Sequence, residues 1–417
     1  MLWVPKPLSA KSPRPARDFA GIDLNASRLR GVQGAMGFPP RAMTLEKDRE
    51  ELPLVVGLET RRPRVGMEGL RLSRLMPHLV CKGFLGFIGE ERFWGMGRYR
   101  LDAVGAMTLV FEKLRPVCTG AALALALPIY LNRIQVQQLI QLALKARLPL
   151  VACIPAPLAH AFIANLEDSR TGLALVIDVD EHALSAGIVR CDHDQLFLQG
   201  SESWSSLGSS YWKNRLIDEV ADRCIRQSRR DPRECAQTEQ HLFEQLENAL
   251  DRCQQGKPFE ILVQTDNWYQ NLLLRPEDLS AGCQRLVKPA IARLQEFLAA
   301  MRSQGQLSRI ILTHAAERLP GLATAVQAIE RQLPTDCTSD QSEDFGEDLI
   351  EATIGKACLN VLSPDSAARG AHEMAGRVFN KELSPGYHDL ILPMPSEADS
   401  RGRKKQPFRL YSAEQER

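Results

Sequence analysis

The chain has 417 residues, of which 44% are hydrophobic and 25% charged, and its formal net charge is +1. This balance gives no overall field that would attract nucleic acid, so no nucleic-acid partner is expected. The longest apolar run, residues 119–131, is too short to span a bilayer, and no membrane partner is expected either. The ten cysteines form no CxxC pair, which is typical of reduced thiols in a cytoplasmic protein.

The first part of the chain alternates predicted strands and helices. Residues 1–17 are rich in Pro, Lys and Arg and predict a flexible lead. Residues 18–35 predict a hairpin that turns at Asn25-Ala26-Ser27, and residues 52–59 predict another strand. Residues 120–166 read as strand, turn, helix, strand and helix, with apolar residues at helical spacing. This alternation favours an α/β sheet with crossover connections.

Two strands are predicted in "LALVIDVDEHALSAGIV", residues 173–189, with an unusual turn between them. A tight turn between strands usually carries Gly or Asn at its tip. Here Asp180-Glu181-His182-Ala183 stands at the tip instead. The rest of the chain predicts helices over 211–256, a hairpin over 258–274, a helix over 275–305, a strand, turn and helix over 307–333, a helix over 345–362 and a Pro- and charge-rich tail over 363–417.

Six segments, in this order, resemble the nucleotide-binding domain of the DnaK-type heat shock protein 70 family, within the actin-like ATPase group. "GIDLNASRLRGV" is similar to the first phosphate hairpin of that family, and "HLVCKGFLG" to the segment that holds its catalytic lysine. "ALVIDVDEHALSAGIV" is similar to the second phosphate hairpin. The other three are "LALALPIYLNRIQVQQLIQLALKARLPLVACIPAPLAHAFI", "SLGSSYWKNRLIDEV" followed by "LFEQLENALDRCQQGKPFEI", and the adenosine segment "IILTHAAERLPGLATAV".

The resemblance implies an α/β, two-lobed actin-like (ribonuclease H-like) fold. Each lobe would be a five-stranded mixed sheet flanked by helices, with a cleft between the lobes. Residues 18–170 plus the helix 345–362 would form lobe I. Residues 171–344 would form lobe II, with 213–300 as its helix-rich upper part.

The resemblance also implies ATP or ADP with Mg²⁺ as cofactors, held in that cleft. It assigns catalytic roles to Lys82 and Asp178 and the metal to Asp23 and Asp178. The cofactor-binding positions that it implies are Asp23, Asn25, Ser27, Asp180, Glu247 and Arg318.

The phosphate-binding turns depart from the family pattern. The family uses glycines there, because a backbone without Cβ atoms can approach a phosphate closely. This chain instead has Asn25-Ala26-Ser27 and Asp180-Glu181-His182-Ala183, and Ile154 replaces a glutamate that helps to hold metal and water. Carboxylates repel a phosphate, so we expect ATP hydrolysis to be lost and the cofactor to be weakly held or absent.

Read without the resemblance, the same residues have ordinary explanations. Asp23 and Asp178 are typical of aspartates that cap a turn at a strand end. Lys82 and Arg318 are equally typical of solvated bases. Residues 191–194, "CDHD", contain zinc-binding residue types, but four adjacent residues seldom converge on one ion and a polar turn is favoured.

Three functions remain open at this point. The first is a catalytically degenerate, nucleotide-domain-only relative of the heat shock protein 70 family that acts through contacts with a protein partner or client. The alternative is a weak ATP-binding chaperone or cochaperone. The third, a sugar or acid kinase, also requires the missing phosphate turns. Fewer than 60 residues follow position 362, too few for a peptide-binding domain of about 100 residues or more.

Overall fold

The computed structural model describes residues 17–97, 100–265, 267–305, 307–332 and 358–394, which form a mixed α/β structure. None of the helices in these ranges has a stretch long and apolar enough to cross a lipid bilayer. The helices are α1 (Met67–Leu70), α2 (Ala103–Leu114), α3 (Arg133–Lys145), α4 (Ala156–Glu167), α5 (Ser209–Ser228), α6 (Ala236–Gln254), α7 (Pro276–Met301), α8 (His314–Glu317), α9 (Leu322–Gln332) and α10 (Ser366–Phe379).

The strands belong to two large sheets and three small ones. In chain order they are β1 (Asp18–Leu24), β2 (Arg28–Ala35), β3 (Arg41–Ala42), β4 (Glu51–Pro53), β5 (Val55–Gly57), β6 (Arg64–Val65), β7 (Val80–Lys82), β8 (Phe93–Trp94), β9 (Leu101–Asp102), β10 (Ala122–Leu127), β11 (Leu150–Pro155), β12 (Gly172–Val179), β13 (Leu184–Cys191), β14 (Gln195–Trp204), β15 (Phe259–Gln264), β16 (Tyr269–Leu274), β17 (Leu307–Leu312), β18 (Cys358–Val361), β19 (Gly386–Tyr387) and β20 (Ile391–Pro393).

The two large sheets repeat one arrangement of strands. Sheet I has the order β19-β11-β10-β1-β2-β3, with β4 also paired to β2, and sheet II has the order β18-β17-β12-β13-β14-β20. In each sheet a first strand forms an antiparallel hairpin with the next strand, as in β1–β2 and β12–β13. On its other side the first strand pairs with a parallel strand, β10 or β17. Both hairpins were predicted from the sequence, and the structure confirms them.

Helices α4 and α10 lie between the two sheets. Helix α10 contacts β1, β10 and α4, while α4 contacts β12 and β13. One apolar cluster joins the facing sides of both sheets, and it includes Ala124 of sheet I, Val176 of sheet II and Ala371 of α10. The His160 Nδ1 atom lies 2.9 Å from Ser366 Oγ, so a buried hydrogen bond also ties α4 to the start of α10. The two helices therefore form the middle layer of the molecule.

A glycine on β1 allows α10 to approach this closely. A Cβ atom at Gly21 would overlap the Ala368 carbonyl oxygen and the His372 backbone nitrogen of α10. At Gly370, on the other side of the helix, an added Cβ would lie 2.7 Å from the Ala159 carbonyl oxygen of α4. Backbone therefore packs directly on backbone on both sides of α10.

The sequence prediction was wrong about the end of the chain. Residues 358–361 of the predicted helix 345–362 form a strand, β18, and 345–357 lie outside the described residues. The predicted tail 363–417 contains α10, β19 and β20, although 395–417 lie outside the described residues. The buried face of α10 consists mainly of small residues, such as Ala368, Gly370 and Ala371, and has few large apolar side chains that would mark it as a helix in the sequence.

Each large sheet also has more strands than the predicted five. In sheet I, β4 adds to β2 and β19 adds to β11, which gives seven strands. In sheet II, β18 pairs with β17 and β20 pairs with β14, which gives six. The C-terminal segment thus contributes strands to both sheets, whereas the prediction assigned only a helix of lobe I to it. Residues 1–16 of the predicted flexible lead lie outside the described residues.

Candidate functional site

The predicted acidic residues lie where the first strands of the two sheets end. Asp23 is the next-to-last residue of β1, and Asp178 is the next-to-last residue of β12. Asn25 Nδ2 donates a hydrogen bond of 3.1 Å to Asp23 Oδ2. Thr313 Oγ1 donates one of 2.7 Å to Asp178 Oδ1. Asp23 is therefore held by the residue that directly follows its own strand, and Asp178 by the residue that directly follows the neighbouring strand β17.

Asp180 joins the two hairpins. Its Oδ2 atom accepts hydrogen bonds from the Ala26 N–H group at 2.8 Å and from the Tyr130 hydroxyl at 2.6 Å. Its Oδ1 atom accepts from the N–H groups of His182 and Ala183, both at 2.9 Å. An ionised carboxylate has about four acceptor positions, so these four donors occupy the side chain fully. We call this set of contacts the Asp180 junction.

The rest of the 180–183 turn is held as firmly. The Glu181 N–H group donates to Ser27 Oγ at 2.9 Å, a second link between the hairpins. Helix α5 begins against the turn, because the Ser209 N–H group donates to the Asp180 carbonyl oxygen at 2.8 Å. The His182 ring packs against the rings of Tyr130 and Phe87, with centroid distances of 4.6 and 5.8 Å. Asp180, Glu181 and His182 thus all make contacts within the protein itself.

Little space is left at the Asp180 junction. A cavity of about 10 Å³ lies there, lined by residues that include Tyr130, Pro157, Asp178, Asp180 and Ser185. A cavity of this size holds about one water molecule. In this conformation it is far too small for a nucleotide.

Lys82 lies at a second cluster, formed by cationic side chains around Phe243 of α6. The Nζ atoms of Lys82 and Lys213 are 5.9 and 5.8 Å from the centroid of the Phe243 ring, and the Arg74 guanidinium is 5.1 Å from it. Burial lowers the pKa of Lys82. Arg74 also carries two of the contacts that link residues 70–74 to α6, through Glu239 at 3.1 Å and the Gln240 amide oxygen at 2.8 Å.

Glu247 and Arg318 pair with each other. Arg318 Nη2 lies 2.9 Å from Glu247 Oε2, and Lys213 Nζ lies 2.7 Å from Glu247 Oε1. Arg318 Nε also lies 2.8 Å from an Asp251 carboxylate oxygen. Both predicted cofactor-binding residues are therefore already engaged in ion pairs within the chain.

Burial dominates the electrostatics of the acidic cluster. It raises the pKa of the Asp23 carboxyl to about 7; Asp178 adds to the rise and Arg28 opposes it. Burial also raises the pKa values of Asp178 and Asp180. Within the described ranges, no three His, Cys, Asp or Glu side chains form a group that could hold a metal ion. Because Mg²⁺ is commonly held by one or two carboxylates together with water molecules, the predicted Mg²⁺ site at Asp23 and Asp178 stays a prediction.

The raised pKa of Asp23 predicts that stability depends on pH. The folded protein holds the proton up to about pH 7, whereas the unfolded chain releases it near 3.8. The stability that this proton contributes to the folded state is thus fully present below pH 3.8 and is lost as pH rises to about 7. We expect the free energy of unfolding of the wild type to fall across this range relative to that of Asp23→Asn, by on the order of a few kcal/mol.

Urea unfolding of both proteins at several pH values between 4 and 8 (roughly the span of the two protonation steps) measures this difference. Asn25→Ala is the control, since it removes the bond to Asp23 but leaves the carboxyl in place. If the free energies of unfolding of the wild type and of Asp23→Asn differ by the same amount at every pH, the carboxyl group of Asp23 is ionised throughout this range.

Several site residues were not identified from the sequence. Tyr130 follows shortly after the end of β10, which neighbours β1 in sheet I. This position close to a strand end could have marked it as a site residue. Thr313 likewise directly follows β17. No local pattern in the sequence marks Lys213 and Arg74 as site residues, because only folding brings α5, α6 and residues 70–74 together.

No model of a known protein family matches the chain. No curated protein matches it at a significant level.

Proposed function

We propose that this chain is a catalytically degenerate protein of the two-lobed actin-like fold, related to the nucleotide-binding domain of the heat shock protein 70 family. It acts through protein–protein contacts and not through ATP turnover. The repeated strand arrangement of sheets I and II supports the fold, because each sheet carries a hairpin whose first strand also pairs with a parallel strand. Asp23 and Asp178 hold equivalent positions in that repeat.

The Asp180 junction is the observation that carries the functional proposal. In a working phosphate site, the backbone N–H groups of the two turns would be free to donate to a phosphate. Here Asp180 accepts from the N–H groups of Ala26, His182 and Ala183. The side chain of Asp180 thus satisfies the donors that a phosphate would need. A partner would recognise the outer surface of the locked protein.

Thermal unfolding with and without millimolar ADP or ATP plus Mg²⁺ tests this proposal. A ligand at about 100 times its dissociation constant adds about 2.7 kcal/mol of stability, which would raise Tm by a few degrees. We expect no shift, because nucleotide would have to displace Asp180 from four donors. A clear shift with either nucleotide would contradict the proposal.

A second candidate function is weak ATP binding by a chaperone or cochaperone. The cationic cluster of Lys82, Lys213 and Arg74 favours it, since cations near the turn could attract phosphates. That function predicts a thermal shift with MgATP that Lys82→Ala reduces. The same measurement therefore separates the two candidates.

A further inference from the structure

The hairpin of β15 and β16 is a small sheet with one edge uncovered. The two strands pair only with each other among the described residues. Side chains of α6 cover the β15 edge. Gln245 Oε1 accepts from the Leu262 N–H group at 3.0 Å, its Nε2 donates to the Leu262 carbonyl at 2.9 Å, and Thr238 Oγ1 donates to the Gln264 carbonyl at 3.2 Å. No described strand covers β16 in the same way.

The register of the hairpin fixes which backbone groups of β16 face outward. Leu262 lies opposite Asn271, and its backbone groups point away from β16, toward Gln245. This is therefore a non-hydrogen-bonded pair, and the backbone groups of Asn271 point away from β15. Because the pattern alternates, those of Tyr269 and Leu273 point outward as well. No backbone partner within the described ranges is found for these three residues.

The side chains on the same stretch are apolar and exposed. Tyr269 is 78% exposed, Leu273 is 60% exposed, and their neighbour Leu262 on β15 is 40% exposed. All three lie on the hairpin face that is turned away from α6. No residue of β16 is charged, although exposed sheet edges are usually protected by charges or proline. This edge therefore has both the free hydrogen-bonding groups and the apolar surface that a further strand requires.

We propose that the β16 edge pairs with the β16 edge of a second copy of this chain, antiparallel and about a two-fold axis at Asn271. In this register Tyr269 lies opposite the partner's Leu273, and Asn271 lies opposite the partner's Asn271. The three outward-facing residues then meet three outward-facing residues, and each pair exchanges two backbone hydrogen bonds. The sequence of β16 is thus complementary to itself, and the absence of charge on the strand leaves no repulsion across the axis.

The small size of the exposed surface favours a weak dimer. The exposed apolar area of the three side chains is on the order of 300 Å² per chain, so the total is below the roughly 1,200 Å² at which stable interfaces begin. We therefore expect a weak, reversible dimer that becomes populated as protein concentration rises. A four-stranded sheet would run through it, from one β15 strand to the other.

Sedimentation velocity of the full chain over a range of concentrations tests the dimer. The double variant Tyr269→Lys with Leu273→Lys places like charges opposite each other, and it should weaken dimerisation at least about tenfold. Tyr269→Glu with Leu273→Lys places a glutamate opposite a lysine of the partner at both positions, keeps opposite charges at the pair of residues 260 and 273 within the hairpin, and should retain the dimer. Ile134→Lys, on the exposed side of α3, is the control for losing an apolar side chain elsewhere.

The two double variants distinguish pairing in this register from nonspecific association. If both double variants lose the dimer equally, the proposed register is wrong. A wild type that stays monomeric at every concentration, or a dimer that Ile134→Lys weakens as much, overturns the proposal as a whole. Because all the substituted side chains are exposed, circular dichroism should show an unchanged fold in every variant.

Discussion

Replacing Asp180 with alanine is expected to lower the free energy of unfolding by about 3 to 5 kcal/mol. The substitution leaves four donors without an acceptor, the buried N–H groups of Ala26 and Ala183 and the partly buried His182 N–H group and Tyr130 hydroxyl. Each such donor costs about 1 to 3 kcal/mol, and water that enters the enlarged cavity recovers part of that cost. Urea unfolding of the two proteins measures the difference.

Formate provides a second measurement on the same variant. It can replace the carboxylate that Asp180→Ala removes, so it should raise the Tm of the variant more than that of the wild type. Asp192→Ala is the matched control, since Asp192 is an exposed aspartate in the turn between β13 and β14. Equal stability of Asp180→Ala and Asp192→Ala, with no formate effect, would show that the Asp180 junction does not hold the hairpins together.

Gly21→Ala is expected to destabilise the protein by at least about 3 kcal/mol, or to prevent folding. The added Cβ atom would overlap backbone atoms of Ala368 and His372 in α10. A flexible side chain can move aside, but the backbone of α10, held between β1 and α4, cannot shift without disturbing both. The yield of soluble protein and the urea midpoint measure the effect.

A second glycine in the chain serves as the control. Gly282 lies inside α7, and the three atoms nearest to an added Cβ would all belong to the side chain of Glu219, at 3.3 to 3.5 Å. Gly282→Ala should therefore be neutral or stabilise the protein by up to about 1 kcal/mol, since alanine favours helices. If Gly21→Ala behaves like Gly282→Ala, then α10 does not pack closely against β1.

Local patterns in the sequence were enough to predict most of the regular elements. The alternation of apolar residues predicted the β12–β13 hairpin, and apolar residues at helical spacing predicted α3 and α5. Helix α10 was missed for a physical reason. A helix that packs this closely on a strand and on a second helix needs small residues, and the sequence of α10 has few of the large apolar residues by which the other helices were recognised.

The candidate site was predictable only in part. Strand-end positions drew attention to Asp23 and Asp178. The role of Asp180 was not predictable, because two of its four contacts, with the Ala26 N–H group and the Tyr130 hydroxyl, come from distant parts of the chain that only folding brings to it. From the sequence, the carboxylate of Asp180 was expected to repel a phosphate. The structure adds that this carboxylate accepts hydrogen bonds from N–H groups of the two turns that a phosphate would otherwise use.

The path of the chain after residue 357 affects how the protein is made. Residues 358–394 add β18 to sheet II, α10 to the middle layer, β19 to sheet I and then β20 to sheet II. During synthesis, neither sheet is complete until these residues have left the ribosome. Until then, the apolar surfaces that face α10 stay open to solvent and to other nascent chains. The final compaction of the protein is therefore expected to follow, and not accompany, the synthesis of its first 350 or so residues.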